Sequence, residues 1–497
     1  LALRMIALRT LADLNWDNVH AVAWGRERLE VDTALLAQVS DGRAQFEALI
    51  DAGVPCYGVT TGLGQLVGME LDVAAREQLA NNILFARAAA TGDPLPAPVA
   101  RATLMLKLGN LLSGNDGATR ALCEYIVARL NDGFTPWIPR LGHGMGADAV
   151  AHSHCFQTLI GEGSVMCSAG LRQSARDALR ALRVAPYQPR DKEGLALISG
   201  LGASVAYAMH AHGEVEKWLC QALRIGVYTL EAMAVPRDST DPLLTSLAQH
   251  GGTQRVMEAM AALLSDSCFE PHKLQAPVSI RVMPQVYGAL HDALASLRAT
   301  ADASMRMFTD NPVMLDARLL SHGGFHDQHL LNEAERLALA LQHAGTLGVR
   351  RLHRLMDPVH TGLSAQLAVR PGLDAGMVVV HKAAVELLAR AKQLCMPVSL
   401  ETGETSQGQE DYMSLIFPRL DTLLAQADCL QRVLAHELLA ASVALDQRAD
   451  GVSTATRTLH EAVRRRVPAY TRDRSPGPDA DTVYRWLGDG GLCDIVG

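Results

Sequence analysis

A mainly α-helical fold is predicted by three observations: apolar residues recurring every three or four positions over long stretches, an Ala- and Leu-rich composition that is only 4% aromatic, and few alternating strand-like runs. The periodicity is clearest at 98–112, 252–265, 330–347 and 420–448, which read as long core-forming helices. Glycine clusters interrupt it at 58–68, 141–147, 194–203 and 322–324. Each lies beside a helical stretch, and a residue without a Cβ lets the backbone approach a ligand closely, so functional loops are expected there. The tail from Pro468, with Pro476 and Pro478, reads as a surface appendage. Two arginine groups, Arg350, Arg351 and Arg354, and Arg464, Arg465 and Arg466, read as solvated or salt-bridged helix faces, with an intersubunit contact as the functional alternative.

The chain has 497 residues, enough for about three units at roughly 150 residues each or for one large interdigitated fold. With 45 Lys and Arg against 53 Asp and Glu, the net charge is −8, which argues against a nucleic-acid partner. The 41 glycines and 21 prolines fall well below a low-complexity composition. The nine cysteines are odd in number and never spaced as CxxC, so they read as buried thiols rather than a disulfide framework or zinc knuckle. Residues 1–30 lack a secretory pattern, and no uncharged apolar run approaches the length of a membrane helix, so no membrane partner and a cytoplasmic address are expected. No metal is expected: His152-Ser153-His154-Cys155 brings ligand types together but reads as structural. Gly62-Leu63-Gly64 lacks the strand–helix context and acidic residue of a dinucleotide site.

One lysine stands out without any comparison. In Met377-Val378-Val379-Val380-His381-Lys382-Ala383-Ala384-Val385 only His381 and Lys382 are polar, which places Lys382 toward the interior or a pocket, where it requires a carboxylate partner.

The loop Tyr57-Gly58-Val59-Thr60-Thr61-Gly62-Leu63-Gly64 resembles a segment of the histidine/phenylalanine ammonia-lyase family. The same order continues through Gly92-Asp93-Pro94-Leu95-Pro96, Leu159-Ile160-Gly161-Glu162-Gly163 and Lys192-Glu193-Gly194-Leu195-Ala196-Leu197-Ile198. It then runs through Ser279-Ile280-Arg281 with Pro284-Gln285-Val286, Thr309-Asp310-Asn311-Pro312, Phe325-His326 and Gln409-Glu410-Asp411. The resemblance implies a histidine ammonia-lyase-like fold with an N-terminal catalytic-loop domain over 1–215, a central helical bundle over 216–467 and a C-terminal tail over 468–497. It also implies a homotetramer whose active sites draw on three chains.

Family members cyclise an internal Ala-Ser-Gly into the electrophile methylidene-imidazolone (MIO), and alignment puts Met145-Gly146-Ala147 at that tripeptide. Gly146 has no side chain to lose water, so MIO is expected to be absent and no other cofactor is implied. Neighbouring positions depart from the family pattern as well: Ser199, Val278 and Gly324 stand where Asn, Tyr and Asn are expected, and Arg87 stands where histidine lyases carry a ring-binding histidine. A substrate that needs no electrophile resolves the conflict. A primary amine is expelled with help from MIO, whereas a trimethylammonium group has no N–H to be alkylated and leaves directly as neutral trimethylamine.

The sequence is therefore similar to the MIO-lacking, ergothionase-type branch of this superfamily, which implies elimination of trimethylamine from ergothioneine to give thiourocanate. The resemblance assigns Tyr57 the β-proton, Arg281 the substrate carboxylate, and Lys382 and Glu410 the thione-bearing ring. Phe325 packs near the substrate, Thr60 and Ser199 give small polar contacts, and Arg87 and Gln285 complete the substrate-binding set. His143, on the remodelled loop, is a further candidate contact. The alternatives are a MIO-independent lyase or conjugate-addition enzyme on another imidazole or aryl acid, and a catalytically silent homologue.

Overall fold

The computed structural model describes residues 4–144, 146–167, 170–400, 403–448 and 451–492. It is dominated by helices, among them Ala97–Leu111, Gly202–Met233, Gln328–Leu355 and Ile416–Asp446. The four stretches singled out by apolar periodicity each fall on a helix, at Ala97–Leu111, Gly251–Leu263, Gln328–Leu355 and Ile416–Asp446. The stretch Glu193–Met233 is long and apolar enough to cross a membrane by length and composition, contrary to expectation, but 94% of its most apolar window is buried in the protein, as in a core helix.

The chain divides into two compact units, each assembled from separated segments. One comprises 1–210, 298–332 and 398–420; the other comprises 211–297, 333–397 and 421–497. This differs from a consecutive division at 215 and 467, because the boundaries at 210, 297, 332 and 420 fall inside four long helices. Apolar periodicity is continuous through such a helix, so it carries no mark of the boundary.

The first unit contains all the described strands, paired as four small ladders. Met5–Leu8 runs parallel to Arg28–Val31, whereas Thr91–Pro94 with Pro139–Leu141, Ser164–Met166 with Arg172–Ser174, and Val313–Leu315 with Arg318–Leu320 are antiparallel. The second unit is helical among its described residues, and its tail is no simple appendage. The helix Gly477–Gly488 buries Ala480, Val483, Trp486 and Leu487, and the Leu487 carbonyl accepts from Gln221.

The arginine groups also need correction. Arg351 is salt-bridged, as one reading allowed, but it is fully buried, donating through Nε and Nη2 to both oxygens of Glu437 at 2.6 and 2.9 Å and to the Tyr287 hydroxyl at 2.9 Å. The eight described cysteines form no disulfide; Cys56, Cys123 and Cys155 are buried, while Cys268 is exposed, and Cys493 lies outside the described residues.

Candidate active site

The site is built in the first unit, starting from how Tyr57 is held. Cys56 and Val59 on either side of it are buried against Phe46 and Met314, which anchors the loop. Gly58, between them, has φ +67°, and a Cβ there would meet Leu63 Cδ2 at 2.5 Å and Leu195 Cδ2 at 3.0 Å, so only glycine lets the loop turn this close. The Gly64 N–H donates to the Tyr57 hydroxyl at 2.8 Å, fixing the ring's far end. Tyr57 is thus held at both ends while half-buried.

Arg87 is the C-cap of the helix Val73–Ala86, whose N-terminus is capped by Asp72 accepting from Ala75. A cation suits the carboxyl end of the helix dipole. Burial lowers the Arg87 pKa, opposed by the nearby Tyr57 and Glu410, so these three groups act on one another. Glu410 comes from a loop closed by an antiparallel bridge between Thr405 and Glu410, and Ser406 Oγ lies 3.4 Å from its carboxylate. The Gln65 and Gln407 side chains hydrogen-bond to each other, linking this loop to the loop that follows Tyr57.

Together these elements enclose a cavity of about 590 Å³. Its lining includes Tyr57, Arg87, Gly146, Ala147, Ser199, Phe325 and Glu410. That size suits an amino-acid-sized ligand with polar groups at fixed points of an otherwise apolar wall. Leu195, Ile198, Asn311 and Ser321 line it too, and the sequence reading did not single them out. They lie within or near the family motifs, but nothing in an apolar or amide side chain marks it as facing a cavity. The Asn311 Oδ1 accepts from the His322 N–H at 3.0 Å, which sets the orientation of the amide.

The other expected residues fall elsewhere. Thr60 turns its hydroxyl into its own loop, accepting from Cys56 N at 2.8 Å, and does not line the cavity. His143 is buried, donates from Nε2 to the Pro139 carbonyl at 2.7 Å and stacks on Phe417; burial lowers its pKa, and it is not among the lining residues. Arg281, Gln285 and Lys382 belong to the second unit, where all three are exposed. Of the two placements expected for Lys382, the interior and a pocket, its exposure excludes the interior of its own chain. The helix Val378–Leu394 buries only Val380, Ala384 and Ala391, and the face bearing Lys382 also exposes Val379 and Val385. An apolar run shows that a helix can be covered, not that its own chain covers it.

The residues present do not fit MIO. Gly146 has no hydroxyl to lose, although the space for a side chain exists: a Cβ there would stand 3.6 Å from Phe325 Cε2 and 3.7 Å from the Tyr412 carbonyl oxygen, both ordinary contacts. Its φ is outside the range that demands glycine. Met145 lies outside the described residues. No cluster of three His, Cys, Asp or Glu suited to a metal occurs among the described residues. His152 bonds the Ile198 carbonyl at 3.1 Å and His154 accepts from Ala90 N at 3.0 Å, both structural uses.

Comparison with known proteins gives a consistent picture. The family model for aromatic amino acid lyases matches residues 14–465. The chain is 32% identical over 474 residues to histidine ammonia-lyase from Geobacillus thermodenitrificans, covering 94% of each. Among solved structures, tyrosine aminomutase from Streptomyces globisporus is 26% identical with a TM-score of 0.90, over 100% of this chain and 98% of that one. Ergothionase from Treponema denticola, solved in complex with desmethyl-ergothioneine sulfonic acid, has a TM-score of 0.94 over 98% and 99% of the two chains. Its 22% identity makes that a likeness of fold.

Proposed function

Since the chain belongs to the aromatic amino acid lyase family, we propose that it is a carbon–nitrogen lyase that works without MIO and eliminates trimethylamine from ergothioneine to give thiourocanate. The observation that carries this reading is Gly146, which lines the cavity with space beside it for a side chain and none to dehydrate. The missing hydroxyl removes the route by which a primary amine would be expelled. A quaternary nitrogen does not need that route.

In this reading Tyr57 takes the β-proton, and the pair left behind moves into the Cα–Cβ bond. The Cα–N bond breaks with its electrons on nitrogen, so trimethylamine departs neutral. The proton on Tyr57 then passes to solvent, which balances the turnover. A positioned base of this kind is worth about 10²–10⁴ in rate. Glu410 and Lys382 engage the thione-bearing ring, which spreads the charge left by the proton, and Arg281 and Gln285 bind the carboxylate end. Arg87, beside Tyr57 and Glu410, offsets negative charge at that end of the cavity, while Phe325 and Ser199 shape its wall.

The reading includes a homotetramer in which Arg281, Gln285 and Lys382 come from neighbouring subunits. Its support is that these polar groups are exposed in the single chain alongside exposed Val278, Val379 and Val385. Thr60 serves the loop rather than the ligand.

The test is to incubate purified protein separately with ergothioneine and with histidine, following ultraviolet absorbance together with released trimethylamine and ammonia. Thiourocanate with equimolar trimethylamine is expected. Urocanate and ammonia from histidine would sink the proposal. The relatives named histidine ammonia-lyase favour a second reading, a MIO-independent lyase or conjugate-addition enzyme on another imidazole acid; turnover of such an acid with ergothioneine left intact would select it.

A further inference from the structure

We propose that Lys107 and Lys192 are positioning residues that fix the cavity wall formed by the helix Glu193–Ile198 and Ser199, an inference that rests on reading this cavity as the lyase active site. The helix has six residues, too few to be stable alone, so its place must be set by what it touches. Its first residues are anchored through Glu193. That carboxylate accepts from the Thr119 N–H at 2.9 Å, the Thr119 hydroxyl at 2.7 Å, the Tyr187 hydroxyl at 3.0 Å and the Arg190 N–H at 2.8 Å. Lys192, immediately before it, is buried in an ion pair with Asp310, whose neighbour Asn311 lines the same cavity. One contact therefore ties two parts of the lining together.

At the other end, the last carbonyls of a helix have no partners within it. Lys107 reaches from the helix Ala97–Leu111 to fill that role, donating to the Ala196 carbonyl at 2.9 Å and to the Ser199 carbonyl. It is fully buried, and its direct hydrogen-bond partners are main-chain oxygens; Asp116 and Asp310 act on it only through their charge. A buried cation without a carboxylate in contact is costly, and a methionine of similar length would cost less, so what the lysine supplies is the hold on these two carbonyls. Between the clamps the helix lies against its neighbour with no slack: a Cβ on Gly194 would be 2.2 Å from the Ala80 carbonyl oxygen. Leu195, Ile198 and Ser199 thereby face the cavity in one position. Displacement of a reacting group by about 1 Å can cost about 10²-fold in rate.

The experiment combines amide hydrogen exchange with steady-state kinetics on the full-length protein and on Lys107→Met and Lys192→Met. Exchange across 194–200 is expected to accelerate at least tenfold in each variant, with the helix Thr33–Asp51 unchanged. With ergothioneine, kcat is expected to fall at least tenfold while KM moves less than threefold, the split that distinguishes a displaced wall from lost binding. Lys107→Gln, which keeps one donor, should lie between wild type and Lys107→Met in both readouts. Unchanged exchange across the wall in both methionine variants would overturn the proposal. Loss of protection throughout the unit, or failure to fold, would also overturn it, since the lysines would then be holding the core as a whole. If wild-type protein leaves ergothioneine untouched, the functional reading fails, and the exchange data still decide this one.

Discussion

Arg351 in the second unit and Lys107 in the first are both fully buried cations, yet they hold on to different things. Arg351 grips the Glu437 carboxylate with two nitrogens, Tyr287 takes a further bond, and Thr229 donates to Glu437 at 2.9 Å. Burial works to lower the Arg351 pKa, and the contact with Glu437 outweighs it and raises it. Lys107 instead holds two main-chain carbonyls, and the carboxylates around it remain partly unsatisfied: Asp116 Oδ2 and Asp310 Oδ1 are buried without a hydrogen-bond partner. A pair that neutralises itself fastens helix to helix. A cation spent on backbone fixes the course of a loop, and here that loop bounds the cavity.

The sharpest way to break this contrast is to remove one group of each kind. Tyr57→Phe deletes the hydroxyl proposed as the base and leaves the buried anchors Cys56 and Val59 in place. Turnover of ergothioneine should drop about 10²–10⁴-fold, with the urea midpoint close to wild type. A Tyr57→Phe protein that retains full turnover would remove the base from the mechanism. Arg351→Met should do the reverse. It leaves Glu437 charged and buried, so chemical denaturation should show a loss of about 3–5 kcal/mol, while the activity per folded molecule stays unchanged. If Arg351→Met instead lowers kcat in fully folded protein, the separation between a structural pair and a site-shaping cation fails.

The long helices were legible because side-chain periodicity is a direct consequence of one face being buried, and each of the four singled-out stretches is helical. The motifs singled out Tyr57, Arg87, Ser199, Phe325 and Glu410, and one cavity gathers all five. Direction was not legible. Thr60 and Ser199 are both small hydroxyl residues in motifs, yet one hydroxyl turns into its own loop and the other residue lines the cavity. Lys382 shows a related gap: an apolar neighbourhood implies a cover, and within a single chain that face of its helix is bare. Lys107 lies in an apolar run just as Lys382 does, yet one is buried and the other exposed, so the pattern alone does not tell a buried head group from one that reaches water.

Titratable groups shielded from solvent in the first unit give a smaller, pH-dependent readout of the same contrast. Burial pushes the His154 pKa down to about 4, whereas an unfolded histidine titrates near 6.5. The unfolded chain therefore takes up this proton first, so the stability His154 contributes is complete above about 6.5 and is lost as pH falls toward 4. Burial also raises Asp116 and Asp148 to about 7, and these act with the opposite sign: the folded state takes up their protons first, so they add stability as pH falls below 7. The separable quantity is a difference between proteins. Relative to wild type, His154→Gln should lose less stability between pH 6.5 and 4 in urea titrations, and parallel curves would remove His154 from the account.

The smallest expected effect belongs to Gly146, and it compares a glycine that lines the cavity with one in the helix whose later residues line it. Gly194 leaves no room, since a Cβ would lie 2.2 Å from a carbonyl oxygen, whereas a Cβ at Gly146 would make only ordinary contacts at 3.6 and 3.7 Å. Gly146→Ala should therefore shift stability by no more than about 0.5 kcal/mol. If elimination proceeds by direct departure of a methylated amine, nothing at position 146 takes part in the chemistry, and turnover should stay within about threefold of wild type. A steep loss of kcat with stability unchanged would mean that the glycine itself supplies something to the reaction, through its main chain or through space the substrate occupies. The absence of a hydroxyl would then no longer be the whole of its contribution.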